Sequence, residues 1–207
     1  RHGSAGALVL TIGASQIAAV LGHNPYQTPA ELYEQMRTGA QTPDNEHMVR
    51  GRIFEGALLT WWEHLAQQQL RRAPQDKPGA DERQVALLHP CGWARATLDG
   101  LTVDGSTVVE AKCPAGWRAW DDRSGKYPMH YHLQVVWQLG VAHACGIQAQ
   151  HGELIAGPVY GRLLRFRIAP DPELFAGAMA RAETFLQCVE GGTPLPEAFH
   201  QQHEEKS

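Results

Sequence analysis

The stretch Asp99-Gly100-Leu101-Thr102-Val103-Asp104-Gly105-Ser106-Thr107-Val108-Val109-Glu110-Ala111-Lys112 decides how this chain is read. An acid closes one strand, a short turn follows, and Glu110 and Lys112 stand two apart on the next strand. Strand side chains alternate with a period of two, so Glu110 and Lys112 face the same side, beside the acid. Two carboxylates and an ammonium then converge. Carboxylate oxygens are the ligands Mg²⁺ prefers, an aspartate can bridge two ions, and a lysine beside them can orient or deprotonate the attacking water. The pattern points to metal-assisted phosphodiester hydrolysis. Glu-x-Lys on an exposed strand is also a common solvated pair, and Asp-Gly is an ordinary turn dipeptide. The neighbours weigh against that blander reading. Val108 and Val109 make the approach to Glu110 apolar and β-branched, where a lone charge would be costly.

Around this motif, 207 residues fit one compact domain, expected over the whole of 1–207, and 43% apolar content without a long apolar run excludes a membrane span. The start, Arg-His-Gly-Ser-Ala-Gly, carries no secretory signature. Residues 1–7 are expected to be a disordered or vector-derived start, and the protein is expected in the cytoplasm. Cys91, Cys113, Cys145 and Cys188 are spread without a Cys-x-x-Cys, so neither a zinc knuckle nor a disulfide framework is indicated. His130 and His132 lie two apart in a helical pattern, nearly on opposite faces, which disfavours a histidine metal site. A net charge of −4 is unusual for a DNA-binding protein. Arg50 with Arg52, Arg71 with Arg72, Arg118, and Arg165 with Arg167 supply candidate basic patches.

The rest of the chain alternates helical and strand patterns. Ser15 is expected to N-cap a short helix that stops at Gly22. Thr28-Pro29-Ala30-Glu31 combines a capping box with proline at the first helical position, and Gly39 ends that helix. The longest helix is expected from Glu46 to Arg72, with Phe54, Leu58, Trp61 and Leu65 as its apolar stripe and Glu55 at the margin. Runs at 84–89, 93–98 and 107–112 read as an antiparallel meander. A helix over Tyr131 to Cys145, a strand over Val159 to Ile168, and a helix opened by Asp171-Pro172-Glu173 and closed before Gly191 follow. The polar tail, 193–207, is expected to be flexible.

Together, Ile12-Gly13-Ala14-Ser15-Gln16-Ile17-Ala18-Ala19-Val20-Leu21-Gly22, Arg50-Gly51-Arg52-Ile53-Phe54-Glu55, Leu98-Asp99-Gly100, Glu110-Ala111-Lys112-Cys113-Pro114 and Leu133-Gln134-Val135-Val136-Trp137-Gln138 make an ordered set. It resembles the YqaJ-like, lambda-type alkaline exonucleases of the PD-(D/E)xK nuclease superfamily, over roughly residues 8 to 145. The resemblance implies an α/β fold with a restriction-endonuclease-like core, a mixed central sheet flanked by helices. It implies that Asp99 and Glu110 bind catalytic Mg²⁺ with the Ala111 carbonyl, that Lys112 activates the water, and that Glu55 reaches a second metal or its water. Two ions per site are implied, with Mn²⁺ able to substitute. Gln134 would steady the nucleophile or Lys112, Ser15 would hold a terminal 5′-phosphate, and Arg118 would contact DNA. Met48 falls where the family places an apolar wedge that splits the terminal base pair. Leu8 stands where phage relatives carry an arginine, so Arg1, Arg52 or Arg118 would have to substitute.

The implied activity is 5′→3′ exonucleolytic degradation of one strand of linear duplex DNA to mononucleotides, leaving 3′ single strands for recombination by strand annealing. The implied partners are double-stranded DNA ends, a single-strand annealing protein, and two further copies of the chain in a ring-shaped homotrimer. Two rivals share the motif: an endonuclease on the same core, and a non-catalytic module that binds DNA ends or a protein partner.

Overall fold

The computed structural model describes residues 10–41, 43–72, 81–159 and 161–200. Leu8 and Arg1 lie outside them. Strand β1 (Ile12–Gly13) runs straight into helix α1 (Ala14–Val20), followed by α2 (Pro29–Thr38) and α3 (Glu46–Ala66). Then come β2 (Val85–Leu88), β3 (Ala94–Leu98), β4 (Gly100–Leu101) and β5 (Thr107–Lys112). Helix α4 (Met129–Ala144), β6 (His151–Val159), β7 (Arg162–Ile168), α5 (Pro172–Gly191) and a 3₁₀ turn (Glu197–Phe199) complete the chain. Among the described residues no helix is long and apolar enough to cross a membrane.

The caps of α2 follow the sequence signals. Thr28 accepts from the Glu31 amide at 3.1 Å while Glu31 reaches back to the Thr28 amide at 2.8 Å, and Gly39 closes the helix with φ 70°. Helix α1 corrects an expectation, because its cap is Gly13, whose amide donates to the Gln16 side chain at 2.8 Å. Ser15 therefore sits inside the first turn, with its side chain exposed.

The strands form two mixed sheets, ordered β1-β3-β2 and β4-β5-β6-β7. Only part of the expected meander survives. β2 and β3 pair antiparallel, but the ladder breaks at Asp99, and β5 pairs with β4 in the second sheet. A Cβ on Gly100 would stand 2.7 Å from a Leu70 methyl, so any larger residue after Asp99 would have to displace the Leu70 side chain at this crossing. β5 and β6 are parallel, which demands a crossover, and α4 supplies it. β6 has no clean polar–apolar alternation because 152–157 are buried throughout, as expected for a strand covered on both faces. Under α4, Gly152 lies so close to Val135 that a Cβ would collide with it.

Helix α3 is shorter than expected and rotated. It ends at Ala66, and Gln67 takes a left-handed turn (φ 53°) that sends Leu70 into a bridge with Thr102. Leu58, Leu59 and Trp62 are its buried residues, packed on Val109, Ala111 and Ile155, whereas Phe54 and Leu65 remain 40% and 47% exposed. A buried carboxylate accounts for the rotation: Trp62 Nε1 donates to Glu153 Oε2 at 2.7 Å, and Arg165 donates to the other oxygen at 2.5 Å. Helix α4 runs between the sheets and α5, buried through Leu133, Val135, Val136, Trp137, Leu139, Val141 and Ala142. The segment expected to be a loose tail is packed as far as Phe199, which is buried against Phe185 and the Arg181 guanidinium. The four cysteines are free thiols.

Candidate active site

The break between β3 and β4 places Asp99 across from Glu110 on β5, since Gly100 already pairs with Val109. Asp99 Oδ2 accepts the Ala111 amide at 2.9 Å, which pins its carboxylate to the neighbouring strand and leaves Oδ1 available. Glu110 is 1% exposed and fully hydrogen-bonded. Its Oε1 accepts from Gln134 Nε2 at 2.6 Å and from the Lys112 ammonium, and its Oε2 accepts from Gln138 Nε2 at 2.6 Å. Gln134 and Gln138 are four apart on α4 and so share the face that covers β5. The Lys112 ammonium also lies 5.1 Å from the centre of the Tyr131 ring.

Glu55 enters from α3, half-buried, and accepts from Gln84 Nε2 at 2.8 Å. Burial raises its pKa, Gln84 opposes that shift, and Glu110 adds to it. Asp99 is pushed well above the usual carboxylate range by burial first, then by Glu110 and Glu55. Burial works against the Lys112 charge, but Glu110 and Asp99 outweigh it and hold the ammonium above its ordinary range. The cluster is therefore one firm cation among three mutually repelling carboxyls.

Such a donor set suits a hard divalent cation. Three carboxylates supply the oxygens Mg²⁺ favours, and two are destabilised by burial and repulsion that a cation would relieve. Among the described residues no three His, Cys, Asp or Glu side chains are close enough to form a ready cage, so an ion would complete its shell with water or substrate oxygens. Lys112 would also have to yield its place on Glu110 Oε1.

Of the residues singled out from sequence, Asp99, Glu110, Lys112 and Gln134 are brought together, with Glu55 within electrostatic reach. Gln134 touches Glu110, not Lys112. Ala111 meets Asp99 through its amide. Ser15, Arg118 and Met48 stand at the surface, and Arg52 is exposed in an ion pair with Asp44 whose second bond measures 3.1 Å. Sequence reasoning missed Gln138, Gln84 and Tyr131. The four-residue spacing of Gln134 and Gln138 in the apolar stretch 133–142 of α4 was the available signal. Arg50, read only as part of a basic patch, donates to the Cys113 carbonyl at 3.2 Å, next to Lys112.

The family model of the YqaJ-like viral recombinase domain matches residues 2–145. The fold is similar to the crystal structure of an alkaline exonuclease (LHK-Exo) from Laribacter hongkongensis, with TM-score 0.66 and 23% identity over 88% of this chain and 89% of that one. The same enzyme in complex with dAMP matches equally, with TM-score 0.66, 23% identity and the same 88% and 89% coverage. A phage-related exonuclease from Haemophilus somnus 129PT matches with TM-score 0.66 and 10% identity over 89% of this chain and 95% of that one. At these identities the likeness establishes a common fold. No curated protein sequence matches the chain.

Proposed function

The chain belongs to the YqaJ-like viral recombinase domain family, and we propose that it is a metal-dependent exonuclease that digests one strand of linear duplex DNA from its 5′ end. The observation that carries this reading is the meeting of Asp99, Glu110 and Lys112 at the junction of the two sheets, with Gln134 closing over them. Asp99, Glu110 and the Ala111 carbonyl would hold one Mg²⁺, and Glu55 would serve a second, with Mn²⁺ as an alternative. Bound there, such ions polarise the scissile phosphodiester and acidify a bound water. Lys112 orients that water and compensates charge as it attacks. Tyr131, whose ring lies 5.1 Å from the ammonium, would help hold Lys112 in the site, and Gln134 would orient the Glu110 carboxylate.

The surface supports a DNA path beside this cluster. Met48, Ile53 and Phe54 are 40%, 70% and 40% exposed on α3, the helix that carries Glu55, and Met48 would wedge between terminal bases. Arg118 is exposed in the loop that follows β5. Arg52 could exchange Asp44 for a DNA phosphate, since an exposed ion pair is held only weakly. Ser15 would hold the terminal 5′-phosphate through its exposed hydroxyl. The products would be mononucleotides, the class of molecule named in the dAMP complex of the Laribacter hongkongensis enzyme. The remaining 3′ strand would pass to an annealing protein. A homotrimeric ring enclosing the duplex would let a chain of net charge −4 keep hold of DNA, because enclosure raises the effective concentration of the end.

The test is hydrolysis of 5′-phosphorylated linear duplex and of covalently closed circular duplex, with Mg²⁺ and with chelator. Release of mononucleotides from the 5′ end of linear DNA, an intact circle and silence in chelator are expected. Nicking of the circle would replace this reading with an endonuclease. No hydrolysis with Mg²⁺ or Mn²⁺ would reduce the site to a binding role.

A further inference from the structure

We infer that Gln138 is a positioning residue that sets the separation of the two metal-binding carboxylates across the junction of the sheets. This rests on the proposed nuclease reading of the site. Asp99 follows β3, in the three-stranded sheet, whereas Glu110 belongs to β5, in the four-stranded one. No backbone ladder joins β3 to β5, so their spacing depends on side chains and on the short β4 link. The Gln138 amide spans that junction. Its single Nε2 group donates to Glu110 Oε2 at 2.6 Å and to the Thr97 carbonyl, two residues before Asp99, at 3.2 Å.

Two features mark this as more than a filled core position. Gln138 is 0% exposed on a helix stretch whose neighbours Val135, Val136, Trp137, Leu139 and Val141 are all buried and apolar, so an aliphatic residue would be the cheaper occupant. Its Oε1 is buried without any partner, a further cost of keeping an amide there. The amide cannot gain by flipping, because that would aim Oε1 at two acceptors, Glu110 Oε2 and the Thr97 carbonyl. Both protons of one NH₂ are thus committed to a carboxylate on one sheet and a carbonyl on the other. Gln134 holds only Glu110, so of the two α4 glutamines Gln138 is the one that reaches both sheets, adding to the bond from the Ala111 amide to Asp99.

The experiment measures Mn²⁺ binding directly, by calorimetry or electron paramagnetic resonance, alongside Mg²⁺-dependent digestion and thermal stability. Wild type and Asp99→Asn come first: binding in the first and its loss in the second establish the metal site. Absence of both binding and digestion in wild type would overturn the nuclease reading, and this inference with it. Given a working site, Gln138→Met, which keeps length and removes the donor, is expected to weaken Mn²⁺ binding about 10- to 100-fold, as for other partners of metal ligands. It should lower kcat while leaving KM for DNA ends unchanged, and Mn²⁺ should restore more of the rate than Mg²⁺. Gln138→Asn retains an amide too short to span both acceptors and is expected to show the same loss, which keeps the test open if the Met variant does not fold. Wild-type Mn²⁺ affinity in either folded variant would overturn the inference. So would an affinity loss shared equally by Gln134→Met, because then holding Glu110 alone would explain it.

Discussion

Replacing Lys112 with methionine tests the chemistry and the electrostatics of the cluster together. The change keeps most of the side-chain volume and removes the ammonium that contacts Glu110, a carboxylate whose side chain is 1% exposed. Stripping one partner from a buried ion pair typically costs about 3–5 kcal/mol. Here the cost is smaller, because Gln134 and Gln138 still donate to Glu110 and the Lys112 side chain is 21% exposed, so water can enter. A loss of about 1–3 kcal/mol follows, or roughly 3–10 °C in Tm for a chain of this size. Glu110→Gln in the Lys112→Met background removes the stranded charge, so the double variant should recover to within about 1 kcal/mol of wild type although both singles are damaged. Activity follows a different rule: loss of a positioned catalytic group costs on the order of 10²-fold or more, about 3 kcal/mol, and the double variant should stay inactive. Chemical denaturation in chelator gives the stability cycle, and single-turnover digestion of linear duplex gives the rates. Turnover by Lys112→Met within a few-fold of wild type would refute its catalytic assignment. Additive stability losses would refute the pairing with Glu110.

Asp99→Asn should stabilise the protein in chelator while abolishing digestion. Burial, then Glu110 and Glu55, raise the folded-state pKa of Asp99, so its contribution to stability is fully present at low pH and is lost as pH rises through that raised value; the gain from Asn should be largest at high pH and fade toward pH 4, read from Tm across that range. A 5′-hydroxyl end should be digested at least several-fold more slowly than a 5′-phosphate end, given about 1.5–3 kcal/mol per charge-assisted hydrogen bond, and Ser15→Ala should shrink the difference. Equal wild-type rates on the two ends would remove Ser15 from the site. Gly152→Ala should destabilise by about 1–3 kcal/mol through collision with the β-branched, fully buried Val135, and Val135→Ala should restore part of the loss. Unchanged denaturant midpoints would show that α4 can shift off β6.

Local chemistry was legible in the chain itself. The α2 caps, the start of α5 at Asp171, the strand over Thr107 to Lys112 and the shared face of Glu110 and Lys112 rest on interactions within a few residues of one another or on a strict period of two, and the structure has them where the sequence places them. The seven-residue α1 was legible too, except that its cap passed from Ser15 to Gly13 once Gln16 folded back. What tertiary structure decided depends on partners distant in sequence. The burying face of α3 turned on Glu153, 91 residues beyond Trp62, because a buried carboxylate needs its donors wherever they lie. The expected meander is split between two sheets, with β5 pairing with β4 and β6, and β6, buried on both faces, carries no alternation in sequence that reveals this pairing. Gln138 is one of two glutamines four apart on α4, set among apolar neighbours. Its two bonds, 28 and 41 residues away, appear only when α4 lies across both sheets. Periodicity and capping are local and survive in sequence, whereas the company a buried polar group keeps is fixed by how distant elements pack.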